Sequence, residues 1–347
     1  MCHTASSITF QYDFISLLDR KQHNHQNVRR EHMRYKKLGN SSLDVSVVGQ
    51  GTWALGNDFF GEVDENEGIK AIQAAIDVGI NMVDTAPGYG PHFESELAVG
   101  KAIQGRRDKV CLATKCGIHR IAGEYVKCLS PKLVRWEMEQ SLKRLQTDYI
   151  DLYMIHWPDA NFGIEGALYE LAKMKKEGLC REVGVSNFSP EQMKVGIEIA
   201  GIVSCQPPLS LLNQVSLENG VIDFCRKNNI GCVTYGALGG GILSGKLEKP
   251  AVGGKEQRVG FYNCFEEPGW SKAQELLKVL KDIGDTRGAT IPEVAINWVL
   301  SQPGVTCALM GATTPAMAIE NAKAGDWELT AAEVKTIDDN YKRIFEL

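Results

Sequence analysis

The stretch Ile80-Asn81-Met82-Val83-Asp84-Thr85-Ala86-Pro87-Gly88-Tyr89-Gly90 decides the fold. A short apolar run ends abruptly in an acid, a proline, two glycines and a tyrosine. That is how a buried strand delivers polar groups to the rim of a barrel or sheet. Two later runs end the same way, residues 110–115 on the amine of Lys115 and residues 150–156 on the imidazole of His156. Helical patterns separate them. Residues 64–78 set Ile69, Ile72, Ala75 and Ile76 on one face, and 131–145 open with Ser130 as N-cap and a proline at the first position.

The alternation continues in both directions. Upstream, residues 36–38 and 43–46, joined by Gly39-Asn40-Ser41-Ser42, read as a β-hairpin, and 47–51 as a buried strand. A helix is expected at 95–103. Downstream, strands at 182–186, 203–206, 231–235 and 306–310 alternate with helices at 163–176, after Ser189-Pro190-Glu191, at 218–227 and at 315–322. Helices at 270–282, 292–301 and 330–344 complete the chain. Eight strands, each followed by a helix, predict an α/β fold, a parallel (β/α)8 TIM barrel with an N-terminal β-hairpin and two extra helices. A doubly wound open sheet is the competitor, because alternation does not report closure. A barrel would set Asp84, Lys115 and His156 at its C-terminal rim, where this fold keeps its chemistry.

The chain has 347 residues, 44% hydrophobic and 23% charged, enough for a large core. Residues 33–347 are expected to form a single barrel domain. Residues 1–32 carry four of the seven histidines and an apolar cluster broken by Asp13, and read as a weakly ordered extension rather than a secretory signal. A net charge of −5 leaves no electrostatic footprint for nucleic acid or an anionic membrane, and no apolar segment reaches the roughly 18 residues of a bilayer span. Ten scattered cysteines without a CxxC pair or zinc spacing read as reduced core thiols, with no metal site and a cytoplasmic location. Cys116, beside Lys115, is the one placed for reactivity, and packing is its simpler reading.

An acid, a phenol, an amine and an imidazole at successive strand ends make a proton-transfer set. A tyrosine, with a pKa near about 10, is a poor acid at neutral pH; a nearby ammonium favours its phenolate, and a carboxylate fixes the lysine. Asp84, Lys115 and Tyr89 could thus form one tuned general acid, with His156 holding a substrate carbonyl against Tyr89. Singly, each has a plain reading as a salt bridge, a cap or a satisfied core group.

From Met33 onward the chain resembles the aldo-keto reductase family. The resemblance rests on Gly51-Thr52-Trp53, on the segment from Asp84 to Gly90, on Glu94-Ser95-Glu96, Val99-Gly100-Lys101-Ala102 and Ala113-Thr114-Lys115. It continues through 142–153, Ile155-His156-Trp157-Pro158-Asp159 and Gly184-Val185-Ser186-Asn187-Phe188. It implies a catalytic tetrad of Asp84, Tyr89, Lys115 and His156, an NADP or NAD cofactor and a small carbonyl or alcohol substrate. It also implies that Ser186, Asn187 and Gln206 hold the nicotinamide carboxamide and that Tyr235 stacks on the ring. The glycine-rich run Gly236-Ala237-Leu238-Gly239-Gly240-Gly241, with Lys246, resembles the family's pyrophosphate loop, where glycine lets backbone N–H groups approach the phosphates.

Residues 310–321 resemble the family's adenosine-phosphate segment, with Gly311, Thr313, Met317, Glu320 and Asn321 as cofactor residues. The segment departs from the family pattern: no basic residue stands at Thr313 or Thr314, and Met317 replaces a glutamine. Losing a charge-assisted phosphate contact of about 1.5–3 kcal/mol favours weaker NADP discrimination and NAD use. Lys323 is the cation that could compensate. Trp53, Phe59, Phe60, Ile118 and Trp157 are expected to wall the substrate pocket, with residues 236–268 as a lid whose Phe261, Tyr262, Phe265 and Trp270 line either it or the core. Two other functions fit a barrel: a non-catalytic cofactor-binding regulatory subunit, and a phosphate-binding lyase or isomerase.

Overall fold

The computed structural model describes residues 32–57, 59–121, 124–249, 258–259 and 261–346. It opens with the expected hairpin, β1 (Tyr35–Lys37) antiparallel to β2 (Asp44–Ser46). The hairpin strands bury Leu38, Leu43 and Val45 in one cluster with Met82, Ala113, Leu152, Val233 and Leu309, which lie on the barrel strands. Its turn presses on the N-terminal ends of two of those strands. A Cβ at Gly39, whose φ is +54°, would stand 2.4 Å from the Val203 carbonyl oxygen and 2.5 Å from the Gly231 nitrogen. Only glycine fits there, in conformation and in space. The hairpin therefore stoppers one end of the barrel.

Eight parallel strands close on themselves, which decides against the open sheet. They are β3 (Val48–Gly51), β4 (Met82–Asp84), β5 (Cys111–Cys116), β8 (Ile150–Ile155), β9 (Cys180–Ser186), β10 (Ser204–Gln206), β11 (Gly231–Thr234) and β12 (Val305–Gly311). They run in that order around the barrel, and β12 pairs with β3. Strands with helices outside and packed side chains inside are apolar on both faces, so each reads as a continuous apolar run rather than an alternation.

The helices form the outer layer. They are α1 (Glu65–Asp77), α2 (Glu94–Ala102), α3 (Pro131–Leu145), α4 (Glu165–Glu177), α5 (Pro190–Ala200), α6 (Val215–Glu218), α7 (Val221–Lys227), α8 (Gly269–Arg287), α9 (Ile291–Ser301), α10 (Pro315–Ala322) and α11 (Ala331–Phe345). Capping boxes at Ser189–Gln192, Thr290–Glu293 and Thr330–Glu333 start α5, α9 and α11, each satisfying two backbone donors. No helix among the described residues is long and apolar enough to cross a membrane.

Three local expectations differ. The helix expected at 218–227 is broken in two by Gly220, whose φ of +78° no helix accommodates. Ser130 stands at the N-cap of α3, but its side chain makes no capping bond. Between β5 and α3 an unforeseen hairpin, β6 (Ile118–Ile121) with β7 (Glu124–Lys127), stands beside the barrel mouth. The extension expected at residues 1–32 lies, apart from His32, outside the described residues.

Candidate active site

The C-terminal mouth gathers the four expected proton-transfer residues. Asp84 is the last residue of β4, and Lys115 lies on the adjacent β5. Lys115 is fully buried, so its ammonium is tolerable only if every donor is used. Its Nζ donates to Asp84 Oδ1 at 2.6 Å, to the Thr85 carbonyl oxygen at 3.0 Å and to Tyr89 Oη at 3.1 Å. The second carboxylate oxygen, Asp84 Oδ2, accepts from Gln206 Nε2 at 2.8 Å. Tyr89 is carried by the loop after β4, half-buried. His156 follows β8, its backbone N–H donating to the Cys116 carbonyl at 2.9 Å, and its ring stands edge-on to Tyr89 with centroids 5.7 Å apart.

Protonation follows from burial. The Tyr89 phenol is pushed well above its ordinary value, first by burial, then by the Asp84 carboxylate and by Tyr125. This reverses the expected lowering by Lys115, because burial of the phenol outweighs it and the Asp84 carboxylate adds to the rise. Burial pulls Lys115 below its usual value, against the pull of Asp84. Burial, then the charges of Lys115 and Lys127, hold His156 well below the usual imidazole value. The site thus presents a protonated phenol and a neutral imidazole, one able to give a proton and the other able to donate a hydrogen bond. Cys116 shows no sign of reactivity, its thiol pushed well up by burial and Glu137.

The residues expected to hold the carboxamide form a chain of bonds. Ser186 Oγ donates to the Gln206 carbonyl at 2.7 Å and accepts from Asn187 Nδ2 at 3.0 Å. Asn187 Nδ2 also donates to the His156 carbonyl at 3.1 Å, and Asn187 Oδ1 accepts from Tyr235 Oη at 2.9 Å. Asn187 adopts a φ of +60°, a conformation asparagine tolerates better than most side chains. Tyr235 lies half-buried just past β11, opposite Pro208.

The glycine-rich loop turns through Gly236, Gly239, Gly240 and Gly241, all at positive φ, with Leu238 half-buried among them. Such a run of left-handed backbone can point successive N–H groups into one concavity. Across the gap, Lys246 Nζ meets Glu320 Oε2 at 3.2 Å, bringing the loop to α10. Asn321 Nδ2 donates to the Gly311 carbonyl at 3.1 Å, and Thr314 Oγ1 caps α10 by accepting from Met317 N–H at 3.4 Å. Thr313 Oγ1 faces the sulfur of the exposed Met317 at 3.5 Å. Lys323 is the C-cap of α10, a helix length of roughly 12 Å from Thr314 by rise per residue, so it does not substitute for a cation at that end.

Aromatic residues expected at the pocket cluster around Trp53. Trp53 stacks on Phe59 at 4.7 Å and on Tyr89 at 6.0 Å, and meets Phe60 and Phe261 edge-on at 5.2 and 5.5 Å. Tyr262 packs against Phe261 at 5.0 Å. Phe265 and Trp270 belong instead to a separate core beneath the loop, with Ile242, Cys264 and Ala273. Trp157 lies under Lys127, whose Nζ is 4.6 Å from the ring centroid, and Ile118 packs on the Asp84–Gly90 loop.

Residues 47–342 match the family model described as Aldo/keto reductase family. The chain belongs to this family. It is 35% identical over 309 residues to aldo-keto reductase YhdN of Bacillus subtilis (strain 168), covering 88% of this chain and 93% of that one. Over 319 residues it is 31% identical to the NADH-specific methylglyoxal reductase of Escherichia coli (strain K12), covering 87% and 96%. The solved glycerol dehydrogenase AKR11B4 from Gluconobacter oxydans superposes with a TM-score of 0.83 at 34% identity, covering 90% and 96%. As an aldo/keto reductase, the chain is an oxidoreductase.

Two features of this aldo/keto reductase were not foreseen. Arg258 reaches back over the phosphate-type loop, its Nη1 donating to the Gly240 carbonyl at 3.0 Å. A basic residue in a glycine- and lysine-rich lid was the available signal. Gln206 spans both halves of the site, since the side chain expected at the carboxamide also holds Asp84. No local pattern announces a bond between residues so far apart in sequence.

Proposed function

We propose that this chain reduces an aldehyde, ketone or sugar carbonyl to the alcohol, or runs the reverse, with NAD or NADP. The observation that carries the reading is Lys115 Nζ bridging Asp84 Oδ1 and Tyr89 Oη in a fully buried position. Bound nicotinamide cofactor supplies or takes the hydride. In reduction, Tyr89 gives its phenolic proton to the carbonyl oxygen, and the Lys115 ammonium 3.1 Å away stabilises the phenolate that remains. Asp84, held by Gln206 on its other oxygen, keeps that ammonium in place. His156, kept neutral, donates a hydrogen bond that fixes the carbonyl against Tyr89. In oxidation the same proton returns to Tyr89.

The residues present suit a nicotinamide dinucleotide. Ser186, Asn187 and Gln206 group amide and hydroxyl atoms where a carboxamide would pair, and Tyr235 offers a ring beside them. The loop with Gly236, Leu238 and Gly240, with Lys246 and Arg258, suits the pyrophosphate. Gly311, Thr313, Met317, Glu320 and Asn321 would meet the adenosine end. Thr313, Thr314 and Met317 offer no cation at their own positions for a 2′-phosphate, and the nearby Lys246 is paired with Glu320, which supports use of NADH alongside or above NADPH. The relative from E. coli, described as NADH-specific, fits that preference. The described cysteines, all free, suit a reducing cytoplasm.

The test is Tyr89→Phe, assayed with a panel of aldehydes, ketones and sugars under NADH and NADPH separately. Turnover should fall by roughly two to four decades, the usual contribution of a positioned acid, while cofactor binding persists. Near wild-type turnover would overturn the mechanism. Tight cofactor binding by the wild-type chain with no carbonyl-dependent oxidation would favour the regulatory barrel instead.

A further inference from the structure

The hairpin β6–β7 is inserted between β5 and α3, just after the strand that bears Lys115. Across it Ile118 pairs with Lys127 and Arg120 with Tyr125, and directly opposed residues of an antiparallel pair share a face. That face is turned to the loop of the acid. A Cβ at Gly88, one residue before Tyr89, would meet Ile118 Cγ2 at 3.3 Å and Tyr125 Cε1 at 3.9 Å. Arg120 lies over the Tyr125 ring at 5.2 Å. Lys127 therefore stands on the site side of the hairpin, its Nζ 4.6 Å from the Trp157 ring centroid, and Trp157 follows His156 in the chain. Its charge reaches the His156 imidazole.

The other cations around the mouth have work within the fold. Lys115 is fully engaged, Arg258 donates to the Gly240 carbonyl, and Lys246 pairs with Glu320. Among the described residues nothing hydrogen-bonds or ion-pairs with the Lys127 ammonium, although it stays over one ring. Trp53, Phe59, Phe60 and Phe261 form an aromatic cluster in which Trp53 stacks on Tyr89. An unpaired cation beside His156, with an aromatic cluster against Tyr89, matches a substrate with an anionic end and an apolar or compact body.

We propose that Lys127 is a specificity-determining residue that binds a carboxylate or phosphate carried by the carbonyl substrate. The proposal rests on the carbonyl-reductase reading above and names its substrate class. A cation over tryptophan needs no ligand to be tolerated on a surface, so the plain alternative is a packing role for Lys127.

Matched substrates separate the two. The holoenzyme is assayed with glycolaldehyde phosphate against glycolaldehyde, and with succinic semialdehyde against butanal, in wild type, Lys127→Met, Lys127→Glu and Lys127→Arg. In wild type kcat/KM should favour the anionic member of at least one pair by about tenfold, the size of one partly screened charge-assisted contact. Lys127→Met should remove that preference through KM, Lys127→Glu should reverse it, and Lys127→Arg should restore it. Added salt should weaken the wild-type preference and leave the Lys127→Met ratio unmoved. A preference confined to one pair assigns the anion as phosphate or as carboxylate. Ratios that are the same in wild type, Lys127→Met and Lys127→Glu overturn the proposal alone. Failure of the wild-type enzyme to reduce any of the four, while it reduces another carbonyl compound of the panel, also overturns the proposal alone. Failure with every compound of the panel and either cofactor overturns the carbonyl-reductase reading and this proposal with it.

Discussion

Replacing Lys115 by methionine removes a buried cation with three hydrogen bonds and leaves the Asp84 carboxylate inside the barrel without its counter-ion. Breaking one side of such a pair costs about 3–5 kcal/mol, because the remaining charge keeps its desolvation penalty and loses its compensation. At roughly 2 °C per kcal/mol for a chain of this length, the melting temperature should fall by about 6–10 °C. Adding Asp84→Asn to Lys115→Met removes the stranded charge. The amide still accepts one bond and can still meet Gln206, so the double variant should regain at least about 2 kcal/mol of the loss. Activity should follow a different course, since both single variants and the double all lose the ammonium or its anchor beside Tyr89. Thermal unfolding of the four proteins, with turnover measured in parallel, closes the cycle. A double variant no more stable than Lys115→Met would refute the reasoning, because the two charges would then not be coupled. Recovery of turnover along with stability would refute the assignment of a chemical role to the pair.

Glu137 offers a pH-dependent stability test away from the chemistry. It is buried beside the β6–β7 hairpin, its Oε2 accepting from Gly117 N–H at 2.9 Å. Its Oε1 has no hydrogen-bond partner among the described residues, His119 Nε2 standing 3.5 Å away, and burial raises the pKa of Glu137 from 4.5 to about 8. The native state holds a proton that the unfolded chain releases, so stability is highest below pH 4.5 on this account and falls as pH rises to about 8. The loss amounts to about 5 kcal/mol at most. Glu137→Gln should flatten the dependence of melting temperature on pH between about 5 and 8.5, and an unaltered slope would count against the buried proton. At the adenosine end, Thr313→Arg should raise the NADPH-to-NADH ratio of kcat/KM by roughly one to two decades, the size of a charge-assisted phosphate contact. No change in that ratio would mean the 2′-phosphate lies elsewhere.

The positions of Asp84, Lys115 and His156 were legible because a barrel strand buried on both faces is a plain apolar run, and a polar residue at its end marks the rim. The helix starts were legible for an equally local reason, since a hydroxyl, a proline and an acid within four residues satisfy the first turn. The hairpin β6–β7 lacks the alternation that betrays a half-buried strand, because all four residues of β7 are exposed. Ile118 and Tyr125 meet the Gly88 loop, while His119 approaches Glu137 on the other side. The protonation of Tyr89 was misread for a different reason. Sequence shows which charges are near one another, but not that the phenolic hydroxyl is buried, nor that Asp84 lies closer to the ammonium than the phenol does. The Gln206 bond to Asp84 joins opposite sides of a closed barrel, and only closure brings them together.

The hairpin of Leu38, Leu43 and Val45 closes one end of a barrel whose interior is packed, leaving the mouth over Tyr89 at the other. Molecules that meet over Tyr89 must come and go through one opening, so they form a stack rather than a flow. A molecule held by the buried amide and hydroxyl atoms of Ser186 and Gln206 would lie deeper than one held by the aromatic cluster around Trp53. On the proposed function, first in would then be last out: the dinucleotide would load before the carbonyl compound and leave after the alcohol, and a random order in product-inhibition kinetics would count against it.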